Sequence, residues 1–186
     1  MAHRRADVVQ CALGVLDEYG LADLTMRRLG SELGVQPSAL YHHFVNKQTL
    51  LAAVADELLA RGLSPVPAGP WDERVRAACG QVRDTLLAWR DGAELVATVH
   101  AFGLGGHAAQ ESIAEALSGS GLAEELRLTA TRTLLHFVFG HATEEQTRMQ
   151  ASSIGAIEAD PSETSDFEAG LALVIDGIRV RVGDPV

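Results

Sequence analysis

The sequence predicts an all-α protein built from two helical parts. Apolar residues recur at spacings of three and four along most of the chain, which is the period of a helix with one buried face. Sustained alternating runs and Asn-Gly turns, which indicate strands and hairpins, do not occur in the sequence. The segment 63–70, LSPVPAGP, holds three prolines and one glycine in eight residues and cannot continue a helix, so it predicts the boundary between the parts.

The first part begins with an amphipathic helix that ends at Gly20. Its apolar stripe consists of Val8, Ala12, Val15, Leu16 and Tyr19. Thr25 is suited to be the N-cap of a second helix, and Gly34 suits the left-handed residue that follows a helix. Pro37 suits the first turn of a third helix because its fixed φ is helical and its missing N–H would be unpaired there anyway. Asn46 can cap a fourth helix that runs to about Arg61.

The segment 25–47 therefore predicts two short helices joined by a tight turn. This arrangement holds a recognition helix across the major groove of DNA. The second of the two helices would carry small polar and aromatic side chains outward, where the groove could accept them. We predict a helix-turn-helix DNA-binding domain at residues 1–47, followed by a connecting helix at 47–62.

The second part, residues 63–186, is predicted to contain five further helices. They are expected at 71–90, 93–101, 108–117, 122–149 and 166–182, with a mobile loop at 151–165. The last two helices are apolar over too wide an arc for a peripheral position, so they could pack with their copies as an intermolecular four-helix bundle. Burial inside a larger monomer is the alternative. The predicted dimer interface is Leu126, Leu134, Phe137, Phe167, Leu171, Val174, Ile175 and Ile178.

The net charge of −10 is unusual for a DNA-binding protein, but it is unevenly distributed. Residues 1–47 carry five basic and five acidic side chains, whereas the remainder carries ten arginines against twenty acidic residues. An acidic second part discourages indiscriminate binding to polyanions. The overall charge is therefore compatible with a DNA-binding first part.

Other classes of function are disfavoured by the sequence. It has no apolar run long enough for a membrane span and no secretory signal at 1–9, so we expect a cytoplasmic protein without membrane contact. The histidine spacings are poor for chelation, GLGG at 103–106 lacks the Lys-Ser/Thr of a phosphate loop, and no nucleophile motif occurs. We predict no metal, no cofactor and no enzymatic activity.

Several blocks resemble one family. LTMRRLGSELGVQPSALYHHFVNKQTLL closely resembles the signature of TetR-family transcriptional regulators, and WRDGAELV, HFVFGHATEEQ and FEAGLALVIDGI resemble blocks of the tetracycline-repressor sensor domain. The resemblance implies an N-terminal three-helix helix-turn-helix domain plus a larger helical ligand-sensing and dimerisation domain. It further implies a homodimeric repressor that binds a palindromic double-stranded DNA operator and is released when a small molecule moves the connecting helix.

The resemblance also implies which residues meet DNA. They are Thr25, Arg27, Arg28, Gln36, Pro37, Ser38, Ala39, Tyr41, His42, His43 and Lys47. Lys47 would bind a phosphate, and Gln36 could pair with an adenine edge. Tyr41 could instead pack against the first helix, and Arg28 could be a solvated surface residue. Ala39 stands where relatives often have Thr, so it offers only a methyl contact.

The sensor blocks depart from the tetracycline pattern. Val96 stands where those sensors hold the drug's magnesium with a histidine, and Ala78 and Val82 replace an asparagine and a phenylalanine. Magnesium-tetracycline is therefore not the expected effector, and a more apolar organic ligand is. Its predicted lining is Val82, Leu86, Trp89, Val96, Val99, His100, Phe102, His136 and Phe139, although each could simply be core. Regulation by a protein partner without a small molecule is the alternative.

Overall fold

A computed structural model describes residues 3–158 and 165–182, and within these ranges the chain is helical with connecting turns. The helices are α1 (Arg5–Tyr19), α2 (Met26–Glu32), α3 (Pro37–Leu40), α4 (Lys47–Gly62), α5 (Trp71–Leu87), α6 (Gly92–Ala101), α7 (His107–Ala116), α8 (Glu124–Ser153) and α9 (Phe167–Val182). None of the helices in the described part is long and apolar enough to cross a membrane. The all-α prediction is confirmed.

Several helix ends differ from the sequence prediction. Helix α5 stops at Leu87 and is followed by a turn, whereas the prediction carried it to 90. Helix α8 runs to Ser153, so the first residues of the predicted loop at 151–165 are helical. Residues 159–164 of the predicted mobile loop at 151–165 lie outside the described residues, and its mobility stays a prediction.

The chain forms two compact units. The first comprises residues 1–62 and 85–107, and the second comprises 63–84 and 108–186. A unit boundary falls at 62/63, where the sequence predicts the two domains to divide. The segment 85–107, which contains α6, nevertheless belongs to the same unit as α1–α4. The compact units do not test the predicted division of function between residues 1–47, with the connecting helix 47–62, and residues 63–186, which stays a prediction.

The first unit is held by an apolar core and by one polar corner. Val8, Leu16, Leu29 and Leu58 are fully buried. At the corner, the Asp91 carboxylate accepts a hydrogen bond of 2.7 Å from the Leu21 backbone N–H. Arg90 donates to the carbonyl oxygen of Glu18 over 3.0 Å, which satisfies one of the unpaired carbonyls at the end of α1. The turn after α1 is thus fastened to the residues that precede α6.

The second unit combines apolar packing with charged pairs. Leu134, Val138, Leu171 and Ile175 are fully buried, on α8 and α9. The guanidinium of Arg83 forms a bidentate pair with Glu145, with N–O distances of 2.6 and 3.0 Å. Removing one partner of a partly buried pair such as this leaves an uncompensated charge, which is destabilising.

Candidate nucleic-acid interface and sensor residues

The turn between α2 and α3 has the geometry that its sequence predicts. The Thr25 side chain accepts a hydrogen bond of 3.1 Å from the Arg28 backbone N–H and so caps α2. Gly34 adopts a left-handed conformation with φ of +66°. Gly30 lies so close to the next segment that an added Cβ would be 2.9 Å from the Val35 carbonyl oxygen. The two helices can therefore approach closely at this point.

Helix α3 is short and has one exposed polar face. Regular α-helix spans only Pro37–Leu40, and the chain then tightens into a turn in which the N–H groups of His43 and Phe44 both donate to the Leu40 carbonyl, over 2.9 and 3.0 Å. Such tightening is common in the last turn of a helix. Leu40 and Phe44 are buried, whereas Tyr41 is 51% exposed. The exposed face of this segment also carries Gln36, Ser38 and His42, with Pro37, Ala39 and His43 half-buried beside it.

Lys47 lies at the first position of α4, and its backbone is fixed by a reciprocal cap. The Asn46 carboxamide oxygen accepts from the Thr49 N–H over 2.9 Å, and the Thr49 hydroxyl oxygen accepts from the Asn46 N–H over 3.3 Å. Lys47 is also the one lysine in the sequence. A helix N-terminus and an ammonium group at the same point favour a phosphate.

The two neighbouring arginines of α2 differ. Arg27 is exposed. The Arg28 guanidinium lies 3.5 Å from the centroid of the Tyr19 ring and 3.3 Å from a Glu32 carboxylate oxygen. Arg28 is therefore already engaged with its own chain, and Arg27 is the better placed of the two for a DNA contact.

The predicted ligand-binding residues fall in both compact units. Leu86, Trp89, Val96, Val99, His100 and Phe102 belong to the first, and Val82, His136 and Phe139 belong to the second. Val82, Leu86, Val96, Val99 and Phe139 are buried, Trp89 and His100 are half-buried, and Phe102 and His136 are exposed. Their role in ligand binding remains a prediction.

The predicted dimer residues divide by burial. Leu134, Phe167, Leu171, Ile175 and Ile178 are buried by the chain's own residues and contribute to the core of the second unit. Leu126, Phe137 and Val174 are half-buried. Large apolar side chains are exposed on the same two helices: Leu128 on α8, and Leu173 and Val180 on α9.

The histidines and cysteines form no candidate metal site in the described residues. His100 and His107 meet edge to face with ring centroids 5.9 Å apart, but no group of three His, Cys, Asp or Glu side chains is close enough there to hold a metal ion. Burial raises the pKa of the Cys79 thiol to about 12, which keeps it protonated and unreactive at neutral pH.

Contacts that join distant segments have no local signal in the sequence and could not be predicted from it. Asp91 and Arg90 fasten the turn after α1, and Asp56 on α4 accepts a hydrogen bond of 2.8 Å from the Gly106 N–H.

Two short helices joined by a tight turn, with an exposed polar face on the second helix, have the arrangement of a helix-turn-helix domain. Residues 9–54 match the family model of the bacterial regulatory proteins, tetR family, and residues 65–165 match that of the tetracyclin repressor-like C-terminal domain. The chain belongs to the TetR family of transcriptional regulators, which are DNA-binding proteins and not enzymes.

Individual relatives are similar over nearly the whole chain. The tetracycline repressor protein class A from transposon 1721 of Escherichia coli is 34% identical, over 94% of this chain and 89% of that protein. The crystal structure of Mycobacterium smegmatis BioQ has a TM-score of 0.88 at 39% identity, covering 96% of this chain and 99% of its own. BioQ with its natural double-stranded DNA operator gives 0.84 at 37%, covering 95% and 98%. Streptomyces coelicolor ActR in complex with (S)-DNPA gives 0.79 at 32%, covering 97% and 98%.

Proposed function

We propose that this protein is a cytoplasmic repressor that binds a palindromic operator as a homodimer. The observation that carries the proposal is the exposed polar face of the α3 segment, which includes Gln36, Ser38 and Tyr41. It is followed in sequence by Lys47, which lies in the capped first turn of α4. BioQ, which is similar over nearly the whole chain, was crystallised on its DNA operator. Two recognition helices in a dimer would enter successive major grooves about 34–36 Å apart.

The DNA-binding proposal is tested by selection and substitution. Selection from a random duplex library should recover a palindrome, which the protein binds with an affinity that falls steeply as salt rises. The double variant Tyr41→Ala/Lys47→Ala should lose this binding while sedimentation velocity still finds the wild-type oligomer. An exposed pair in the second unit, such as Arg132→Ala/Met149→Ala, is the matched control. Recovery of no preferred sequence would contradict the proposal, and loss of the oligomer in the double variant would assign those residues a structural role.

We further propose that the repressor is released by a small, mostly apolar organic molecule sensed at α6. Val96 and Val99 on α6 are buried and offer no metal ligand. Helix α6 packs against α4 within the first unit, and the contact of Asp56 with the Gly106 N–H links α4 to the turn after α6. A ligand that binds an altered α6 more tightly would move α4 and thereby the start of the helix that carries Lys47.

Two experiments test whether the effector is an apolar molecule and not magnesium-tetracycline. Magnesium-tetracycline should not bind the protein in equilibrium dialysis, and it should not dissociate the protein from the selected duplex. The reason is that Val96 stands at the position where tetracycline sensors have the histidine that holds magnesium. Apolar aromatic compounds screened by thermal shift should include some that raise the melting temperature and also release the duplex. Release by magnesium-tetracycline, or a screen in which every stabilising compound leaves DNA binding unchanged, would contradict the proposal.

A further inference from the structure

The segment that precedes α1 is fixed next to the helix-turn-helix. The ring Nε2 of His3 lies 3.0 Å from the carbonyl oxygen of Leu33, the residue before the turn glycine Gly34. This carbonyl is at the C-terminal end of α2, where helical carbonyls lack partners within the helix. The contact therefore brings His3 to the turn that leads into α3.

The second anchor is Arg5, the first residue of α1, and its contact follows α3 in sequence. The guanidinium carbon of Arg5 is 4.8 Å from the centroid of the Phe44 ring, and Arg5 itself is exposed. Phe44 is buried and lies three residues before Lys47. A cation stacked on a ring face keeps its edge available to other acceptors. Residues 3–5 thus contact the chain immediately before and after the recognition segment.

Arg4 adds a second cation. Its side chain is 86% exposed, and its guanidinium lies 3.5 Å from an Asp7 carboxylate oxygen. The backbone N–H of Arg4 donates to the same carboxylate over 2.7 Å, which lowers the pKa of Asp7 and fixes the first turn of α1. A solvent-screened pair of this kind is weak, so the guanidinium can exchange Asp7 for a phosphate at little cost.

Arg4 and Arg5 are a large share of the cations that the DNA-binding part has available. Residues 1–47 hold five basic side chains, and Arg28 is engaged by Tyr19 and Glu32. Arg4 and Arg5 are therefore two of the four remaining cations of the DNA-binding part. A phosphate contact needs only a well-placed cation and carries no sequence information.

We infer that His3, Arg4 and Arg5 form a second DNA-binding element, the N-terminal arm, whose arginines bind backbone phosphates that flank the groove occupied by α3. The inference rests on the proposed operator binding and extends it to a segment outside the helix-turn-helix. His3 positions the arm, and Arg4 and Arg5 supply the charge.

The test is the salt dependence of duplex binding. Each phosphate contact contributes about 0.9 to the slope of log K against log salt on B-DNA. Arg5→Ala removes one contact from each copy, so a dimer should lose about 1.8 of the slope, and Arg4→Ala/Arg5→Ala about twice that. The weakening should be equal for the selected palindrome and a random duplex. Arg5→Lys, which keeps the charge, should retain the wild-type slope, and so should Arg132→Ala, which removes an exposed charge from α8.

The outcomes separate this inference from the proposed function. A wild-type protein that binds no duplex contradicts the proposed function itself. A wild-type protein that binds, with arm variants of unchanged slope, overturns only the arm. Weakened binding at an unchanged slope also overturns it, because the loss would then be structural. A loss confined to particular base pairs would assign the arm to base reading and overturn the phosphate assignment.

Discussion

At the scale of single residues, cap and turn positions could be predicted from the sequence, whereas contacts between distant residues could not. Thr25, Gly34, Pro37 and Asn46 occupy the cap and turn positions that the sequence predicts, because each acts on backbone groups within three residues. From the sequence, Asp91 could be recognised only as a residue in the break between the helices predicted at 71–90 and 93–101. Its partner, the Leu21 N–H, is 70 positions away, and nothing in local sequence encodes such a contact.

The Asp91 corner explains why the end of α1 needs glycine. Gly20 has φ of +85° and ψ of 176°, a region occupied almost only by glycine. A Cβ there would lie 2.6 Å from the Asp91 Oδ2 atom. Gly34 also has a positive φ, +66°, but a Cβ on it would meet nothing within 4 Å. A side chain at Gly34 would therefore meet backbone strain alone, whereas one at Gly20 would meet backbone strain and a steric clash with Asp91.

Substitution of these glycines should have unequal effects. Gly34→Ala should lower the free energy of unfolding by about 1 kcal/mol, the cost of a left-handed non-glycine residue. Gly20→Ala should cost about 2–3 kcal/mol, because its conformation is less accessible and the Asp91 hydrogen bond must be displaced. Urea denaturation followed by circular dichroism measures both. Equal losses would mean that the Asp91 contact does not constrain the turn.

At the scale of elements, the sequence predicts where helices begin better than which face is covered. Helix α9 has one fully or largely buried stripe of Phe167, Leu171, Ile175 and Ile178. Its opposite side exposes Leu173 and Val180, seven residues apart and thus on one face. The wide apolar arc seen in the sequence is therefore two stripes. Periodicity alone could not separate the stripe that fills the core from the one left on the surface.

Helix α4 offers a test of how an element positions a charge. Asn46→Ala removes the cap and should cost about 1 kcal/mol of unfolding free energy, and it should also weaken duplex binding because the first turn that carries Lys47 frays. Asn46→Asp preserves the cap and should leave stability nearly unchanged. It adds a negative charge beside Lys47, so binding to the duplex should still weaken. Denaturation and fluorescence anisotropy on the same samples distinguish the two effects. Wild-type affinity in both variants would show that the start of α4 does not approach DNA.

At the scale of the whole molecule, the charge is distributed unevenly between the part proposed to bind DNA and the rest of the chain. Residues 1–47 are electrically balanced, while the remainder carries the net charge of −10. The all-helical fold followed from the spacing of apolar residues and from short-range cap and turn signals, whereas the family followed from the resemblance of whole sequence blocks. The grouping of 85–107 with α1–α4 could not be predicted, since it depends on tertiary packing alone.

The exposed stripe of α9 should be the surface that joins two copies. Leu173 and Val180 are 75% and 68% exposed in the single chain, and Gly177 between them allows a second helix to approach closely. Leu173→Glu/Val180→Glu should place charge in the middle of an apolar contact and yield a folded monomer by sedimentation velocity. Ile154→Glu, at a residue 80% exposed outside the regular helices, should leave the oligomer unchanged. The monomeric variant should also lose most of its affinity for the palindrome, since one recognition segment reads only half of the site. A dimer that survives both charges would move the interface away from α9.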